Sequence, residues 1–287
     1  MAKDDVRLLM VGLHQGWDVE KISKETKLGI DDVSRLLADI EEQRLAFAVD
    51  EYESRPGFPV IRERELEKFK TEESLKVHAQ ELARLFQANW KDIETTVSSL
   101  AGAKGVPKDE LMYQIVVSGL LYGAMLDVFF EDQTLLVPPP RRVGSQRYYG
   151  WLIEGDARLA GNLKREQWES EGHYIVSIGT TLQKDRVSLS QIRSENGMIL
   201  DEAESRRFRS FLSVFSRDKL LPFFKKNRTD LFAATNKFET GMYARRTDVF
   251  SWYYDQMVNR AVDDLIKSGN LKTPNRHYTY AVRTPTR

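Results

Sequence analysis

The chain has 287 residues, with 43 Lys and Arg balanced by 43 Asp and Glu, 41% hydrophobic residues and no cysteine. That length and apolar content suit one large core or two to three small ones and exclude a disordered chain; the missing cysteine excludes disulfide scaffolds, thiolate metal sites and cysteine nucleophiles, and fits a reducing, cytoplasmic compartment. The neutral sum hides a split, because residues 1–65 carry 10 basic against 15 acidic side chains and residues 201–287 carry 17 against 10, so the two ends suit different partners.

The start, MAKDDVRLLM, is too charged and its apolar run too short for a secretory signal. Asp5 to Leu13 predicts a short helix with Val6, Leu9, Met10 and Leu13 on one face. Asp18 is a candidate N-cap for a second helix, Val19 to Thr26. Lys27-Leu28-Gly29 predicts a tight turn through the glycine. Asp31 is then the expected cap of a third helix, with Val33, Leu36, Leu37 and Ile40 inward. Two apolar runs follow, Leu45 to Val49 and Phe58 to Ile61, and the Pro56-Gly57 tip between them signals a hairpin.

Helix, helix, turn, helix and hairpin within residues 1–65 resembles the winged-helix domain of bacterial regulators such as the MarR and ArsR groups. The stretch DVEKISKETKLGIDDVSRLLADIEEQRLAF carries the resemblance, which covers about a fifth of the chain. It implies a contact with double-stranded DNA. The candidate residues are Lys21, Lys24 and Lys27 on the second helix, Ser34 and Arg35 on the third, and Arg55 and Arg62 on the hairpin. Three of the five exposed positions at the start of the third helix are Asp31, Asp32 and Asp39, which repel phosphate. A protein-contact role for the same domain therefore stands beside the DNA reading.

Residues 66–200 read as a central dimerisation or sensor module. Leu75, Ala79, Leu82, Phe86, Trp90, Ile93 and Val97 are spaced 4, 3, 4, 4, 3 and 4 and predict one continuous amphipathic helix. Gly102 to Pro107 ends it. Leu111 to Phe130 is long and apolar enough to raise the question of a membrane, but Gln114 and Asp127 interrupt it, and a core helix with no membrane association is the expectation. The proline-rich loop VPPPRRVGSQRYYGW places Arg141, Arg142 and Arg147 beside Tyr149 and Trp151, a candidate site for an anionic small molecule or peptide effector. Strands are expected at Tyr148 to Ile153, His173 to Thr180 and Arg186 to Leu189.

Residues 201–287 predict helices at Glu202–Phe215, Asp218–Lys226, Asp230–Asn236 and Val249–Ser268, with Gly269 as a stop. NLKTPNRHYTYAVRT then reads as a second hairpin. VNRAVDDLIKSGNL echoes VSRLLADIEEQRL of the first domain, so a second, basic winged-helix-like module is expected. Its candidate DNA contacts are Arg245, Arg246, Arg260, Lys272, Arg276 and Arg283, interleaved with His277, Tyr278 and Tyr280.

Enzyme motifs are lacking. The four histidines show no metal-ligand spacing, there is no phosphate-binding loop, and nothing makes Ser177 a nucleophile. The expected fold class is mainly α with small β elements (α+β), without catalysis, metal or cofactor. The expected function is a cytoplasmic, homodimeric, DNA-binding transcriptional regulator. The alternatives are a replication-initiator-like or phage DNA-binding protein and an adaptor that grips a protein with its acidic first domain.

Overall fold

The computed structural model describes residues 3–50, 53–138, 151–154, 164–179, 186–238, 246–274 and 277–284, with only the backbone of Lys3, Asp4, Lys70 and Lys164. The protein is mainly helical with small sheets, an α+β organisation. It divides into two compact units, each assembled from separate stretches of chain. Unit one comprises Met1–Ser74, Leu135–Ala160 and Thr229–Asp255; unit two comprises Leu75–Thr134, Gly161–Arg228 and Gln256–Arg287. This partition does not follow the consecutive segments 1–65, 66–200 and 201–287.

Unit one opens with α1 (Lys3–Gln15), α2 (Val19–Thr26) and α3 (Ile30–Glu42). Their apolar faces meet in one core of Leu9, Met10, Leu13, Ile22, Val33, Leu36 and Ile40. Asp18 caps α2 as its position predicts, accepting from the backbone N–H of Lys21 at 2.7 Å. The α2–α3 turn differs from expectation. Its left-handed residue is Lys27, φ 61°, while Gly29 is extended and serves as the N-cap of α3, which leaves Asp31 and Asp32 in the first turn. Ser23 steadies the turn by donating to the carbonyl of Leu28 at 2.6 Å.

The hairpin that follows is also displaced. β1 (Ala46–Ala48) pairs antiparallel with β2 (Ser54–Pro56), not with Phe58 to Ile61. Arg55 anchors β2 by donating to the carbonyls of Leu13 at 2.9 Å and His14 at 3.3 Å, while the Glu53 carbonyl accepts from Val49 N–H at 2.7 Å and closes the loop. Val60 and Ile61, both fully buried, instead form β3 (Val60–Ile61), parallel to β4 (Leu152–Ile153). Two adjacent buried residues suit a strand covered on both faces better than a solvated hairpin arm. Further along, α4 (Glu63–Lys70) brings Phe69 against Phe238, Trp252 and Tyr253, the latter two from the first turns of α12 (Arg246–Lys267).

In unit two the predicted long stripe is buried, but on two helices. α5 (Glu73–Ala88) and α6 (Trp90–Ser98) part at Asn89, whose side chain donates to the Leu85 carbonyl at 2.8 Å and competes with the regular ladder. Trp90, expected in the core, is only half-buried. α7 (Lys108–Asp132) is the apolar helix; it is long and apolar enough to cross a membrane, and 72% of its most apolar stretch is buried inside the protein, as in a core helix. Residues Gln114–Ala124 within it form wide π-helical turns.

α7 covers one face of a four-stranded sheet built from β5 (Lys164–Ser170), β6 (His173–Gly179), β7 (Met198–Leu200) and β8 (Tyr278–Arg283), in the order β5-β6-β8-β7. On the opposite face Trp168, Ile175 and Ala281 pack with Leu189 and Ile192 of α8 (Leu189–Ser194). The expected strand at Arg186 to Leu189 is not formed. Ser188 and Gln191 close a reciprocal capping box and start α8 instead. Glu202–Phe215 is a helix as expected, α9, and it continues through wide turns at Ser216–Leu220 into α10 (Leu221–Lys226); α11 spans Arg228–Thr235.

The second hairpin is overturned. Lys272 to Pro274 is not a strand, and β8 is an inner strand, antiparallel to β6 and parallel to β7. Its residues Tyr278 to Val282 are buried, so the C-terminal strand completes a sheet begun in the middle of the chain. The alternation of HYTYAV marks its two faces, both covered.

Candidate nucleic-acid interface

The α2–turn–α3 unit places the N-terminal candidates as follows. Lys21, Lys24 and Lys27 are exposed on α2 and its turn, and Lys21 Nζ sits 4.7 Å over the Trp17 ring. Ser34 and Arg35 are exposed on α3. Arg35 is paired with Asp32 one turn earlier, with both side chains largely solvated, so the pair contributes little to stability. Asp31, Asp32, Asp39 and Glu42 share the exposed side of α3, an acidic surface around its single exposed cation.

Arg55 and Arg62 are engaged in contacts within unit one. Arg55 is the anchor of β2 on α1 and also pairs with Glu53. Arg62 Nε pairs with Glu154 Oε2 at 3.1 Å, and the same oxygen accepts from the Glu63 N–H at 3.3 Å, which ties the start of α4 to the end of β4. Both guanidinium groups have structural work that a phosphate contact would disrupt.

Among the described residues, the C-terminal candidates do not sit on a hairpin wing. Arg246, in unit one, stacks over the Phe232 ring at 5.0 Å. In unit two Arg260 lies in a groove of about 350 Å³ with Lys76, Asp263, Asp264 and Lys267. Burial holds the Asp263 carboxyl above the usual carboxylate range, with a contribution from Asp264. Lys272 pairs with Asp109, and Arg283 reaches the Glu171 carbonyl at 3.4 Å. Tyr278 and Tyr280 are buried in the sheet and cannot stack on bases. Arg245 and Arg276 lie outside the described residues, as do Arg141, Arg142, Arg147 and Tyr149 of the expected effector loop; Trp151 is half-buried ahead of β4.

Three exposed apolar side chains on these same N-terminal elements escaped the sequence reading: Ile30 at the start of α3, and Phe47 and Val49 at β1. The period of two along β1 places Phe47 and Val49 on one side, and that was the available signal. Among the described residues no group of acids and histidines is arranged to hold a metal ion. The chain matches no protein-family model, no curated protein and no solved structure.

Proposed function

We propose that the protein is a DNA-binding transcriptional regulator whose reading head is α1–α3 with the β1–β2 hairpin. The observation that carries this is the three-residue turn, residues 27–29, that joins an 8-residue α2 to a 13-residue α3, with a hairpin directly after. This is the dimension and order of a helix-turn-helix with a wing. The positioning contacts to phosphate come from Lys21, Lys24 and Lys27, and base contact from Ser34 and Arg35. Neighbouring acids weaken nonspecific binding, so affinity depends on the base contacts more than on charge alone.

The test is selection of bound duplexes from a random pool by the full chain at low salt. One enriched sequence, lost in Arg35→Ala, supports the reading. Absence of any enrichment overturns it.

A second reading is favoured by the acidic α3 surface and by exposed Ile30, Phe47 and Val49: the same module grips a protein. Such a contact keeps its affinity as salt rises, whereas a phosphate contact weakens steeply.

A further inference from the structure

Unit two contains a cleft that the sequence did not announce. Its floor is the α7-facing side of the sheet, where Val176, Tyr280 and Val282 point the same way from β6 and β8. One wall is the wide-turned part of α7, and the other is α9 with Phe208 and Leu212. Phe208 and Tyr280 meet edge to face, ring centroids 6.2 Å apart, which fixes the apolar corner. The cleft is open to solvent, and its volume is about 550 Å³, within the range of small-molecule sites.

The helical wall is open because of its residues. Gly119 and Gly123 face the cleft. A Cβ on Gly119 would come within 3.2 Å of Leu212, and one on Gly123 would stand 3.0 Å from the Ser118 carbonyl. A side chain at either position would press on Leu212 or on the helix's own backbone. Wide π-helical turns recur at binding sites, and here they coincide with the glycines.

The polar lining sets two arginines, Arg165 and Arg209, against two acids, Asp127 and Glu131, with Gln167 and Ser213 beside them. Arg165 on β5 donates through Nε to Ser118 Oγ at 3.3 Å and through Nη1 to Gln167 Oε1 at 3.1 Å, which orients its guanidinium. Arg209 on α9 is oriented by a 2.7 Å bond to the carbonyl of Arg283. A guanidinium has five N–H donors, so both retain donors for a ligand. Of the two acids in the lining, Glu131 is held by Arg217. Asp127 is the other, and burial raises its carboxyl above the ordinary value, with Arg165 opposing the shift.

We propose that this cleft binds a small amphipathic carboxylate, with its apolar body on Val176, Tyr280, Val282, Phe208 and Leu212 and its carboxylate on Arg165. An oriented guanidinium beside an apolar floor matches an organic acid better than a neutral or cationic molecule. The site deepens the regulator reading by supplying an effector position. Its test uses no DNA, so the two readings fail separately.

The experiment is calorimetric titration of the full chain with 4-phenylbutyrate and with octanoate, beside their alcohols 4-phenylbutan-1-ol and octan-1-ol. The two acids distinguish an aromatic from an aliphatic body. At least one acid is expected to bind about tenfold or more tighter than its alcohol. Arg165→Gln is expected to remove most of that preference and leave alcohol affinity within about twofold, and Arg209→Gln is expected to reduce it less. Asp127→Asn, which removes a carboxylate from the lining, is expected to tighten acid binding. Methyl resonances of Val176, Val282 and Leu212 should shift on titration. The proposal is overturned if neither acid saturates the wild-type protein below about 10 mM, if the alcohols bind as well as the acids, or if those methyl signals stay unmoved while others shift. Should an arginine variant fail to fold, Asp127→Asn and the methyl shifts decide the matter on their own.

Discussion

If the N-terminal module reads DNA, removing three lysines should do more than removing basic groups at the C-terminus. The perturbation is Lys21→Ala, Lys24→Ala and Lys27→Ala in one variant. Each lysine is exposed, and Lys21 alone has a ring beneath it, so the fold should survive within about 1 kcal/mol. Each phosphate left without its lysine lowers the slope of log affinity against log salt by about 0.9. Three such phosphates therefore flatten it by up to about 2.7 units. The matching C-terminal variant is Lys272→Ala, Arg276→Ala and Arg283→Ala. Charge totals for residues 201–287 favour this second set, whereas its contacts within the fold favour the first. Lys272 is paired with Asp109, Arg283 reaches the Glu171 carbonyl, and the strand between them is buried in a sheet. Duplex binding measured at four or so salt concentrations compares the two variants. A larger loss of slope in the C-terminal variant refutes the reasoning, as does an unchanged slope in the N-terminal one.

Leu82→Ala should cost about 2–5 kcal/mol by denaturant unfolding, because Leu82 is fully buried on α5, whereas Trp90→Ala at the half-buried start of α6 should cost clearly less; equal losses would mean the stripe is buried evenly. Gly102→Ala should lower stability by about 1–3 kcal/mol, since a Cβ there would stand 2.1 Å from the Ile199 carbonyl oxygen and backbone has to move; an unchanged melting temperature counts against that close approach. Asp263→Asn should gain on the wild type as pH rises. Burial raises the folded-state pKa of Asp263, so the folded chain binds more protons than the unfolded one between the two values, and wild-type stability falls with rising pH across that window. The difference in melting temperature between variant and wild type should therefore be more positive at about pH 7 than at about pH 3.5, and a gap independent of pH would remove the basis of the claim.

Much of the fold was legible where local chemistry decides it. Asp18 fixes the start of α2 through a side-chain bond within three residues, and the helix ends where its pattern ends. The helix at Glu202–Phe215 begins at Asp201 for the same reason, with its carboxylate accepting from Glu204 N–H at 2.8 Å. Legibility failed where the partner is distant. Nothing near Val60 and Ile61 indicates that they pair with Leu152 and Ile153. The alternation of Tyr278 to Val282 reads as a half-exposed arm, because a period of two marks two faces without saying whether each is covered. Here α8 covers one face and α7 the other, and both lie far from β8 in sequence.

The candidate sites repeat that division in terms of charge. Sequence shows that Arg55, Arg62 and Lys272 are cations but not that each is already committed to a carbonyl or a carboxylate on another element. A paired cation has less to offer a phosphate, since the pair must break before a counterion is released. The cleft of unit two was hidden as well. Arg165 follows Lys164 and Arg209 ends the run Arg206-Arg207-Phe208-Arg209, but neither run says that an edge strand and a helix bring the two side chains to the lining of one cleft. Net charge over a stretch of chain is thus a poor guide to where an anion would bind. The count of spent donors does not decide it either, since Arg62 and Arg283 each donate once and Arg165 twice. What sets Arg165 apart is the apolar cleft beside its oriented guanidinium.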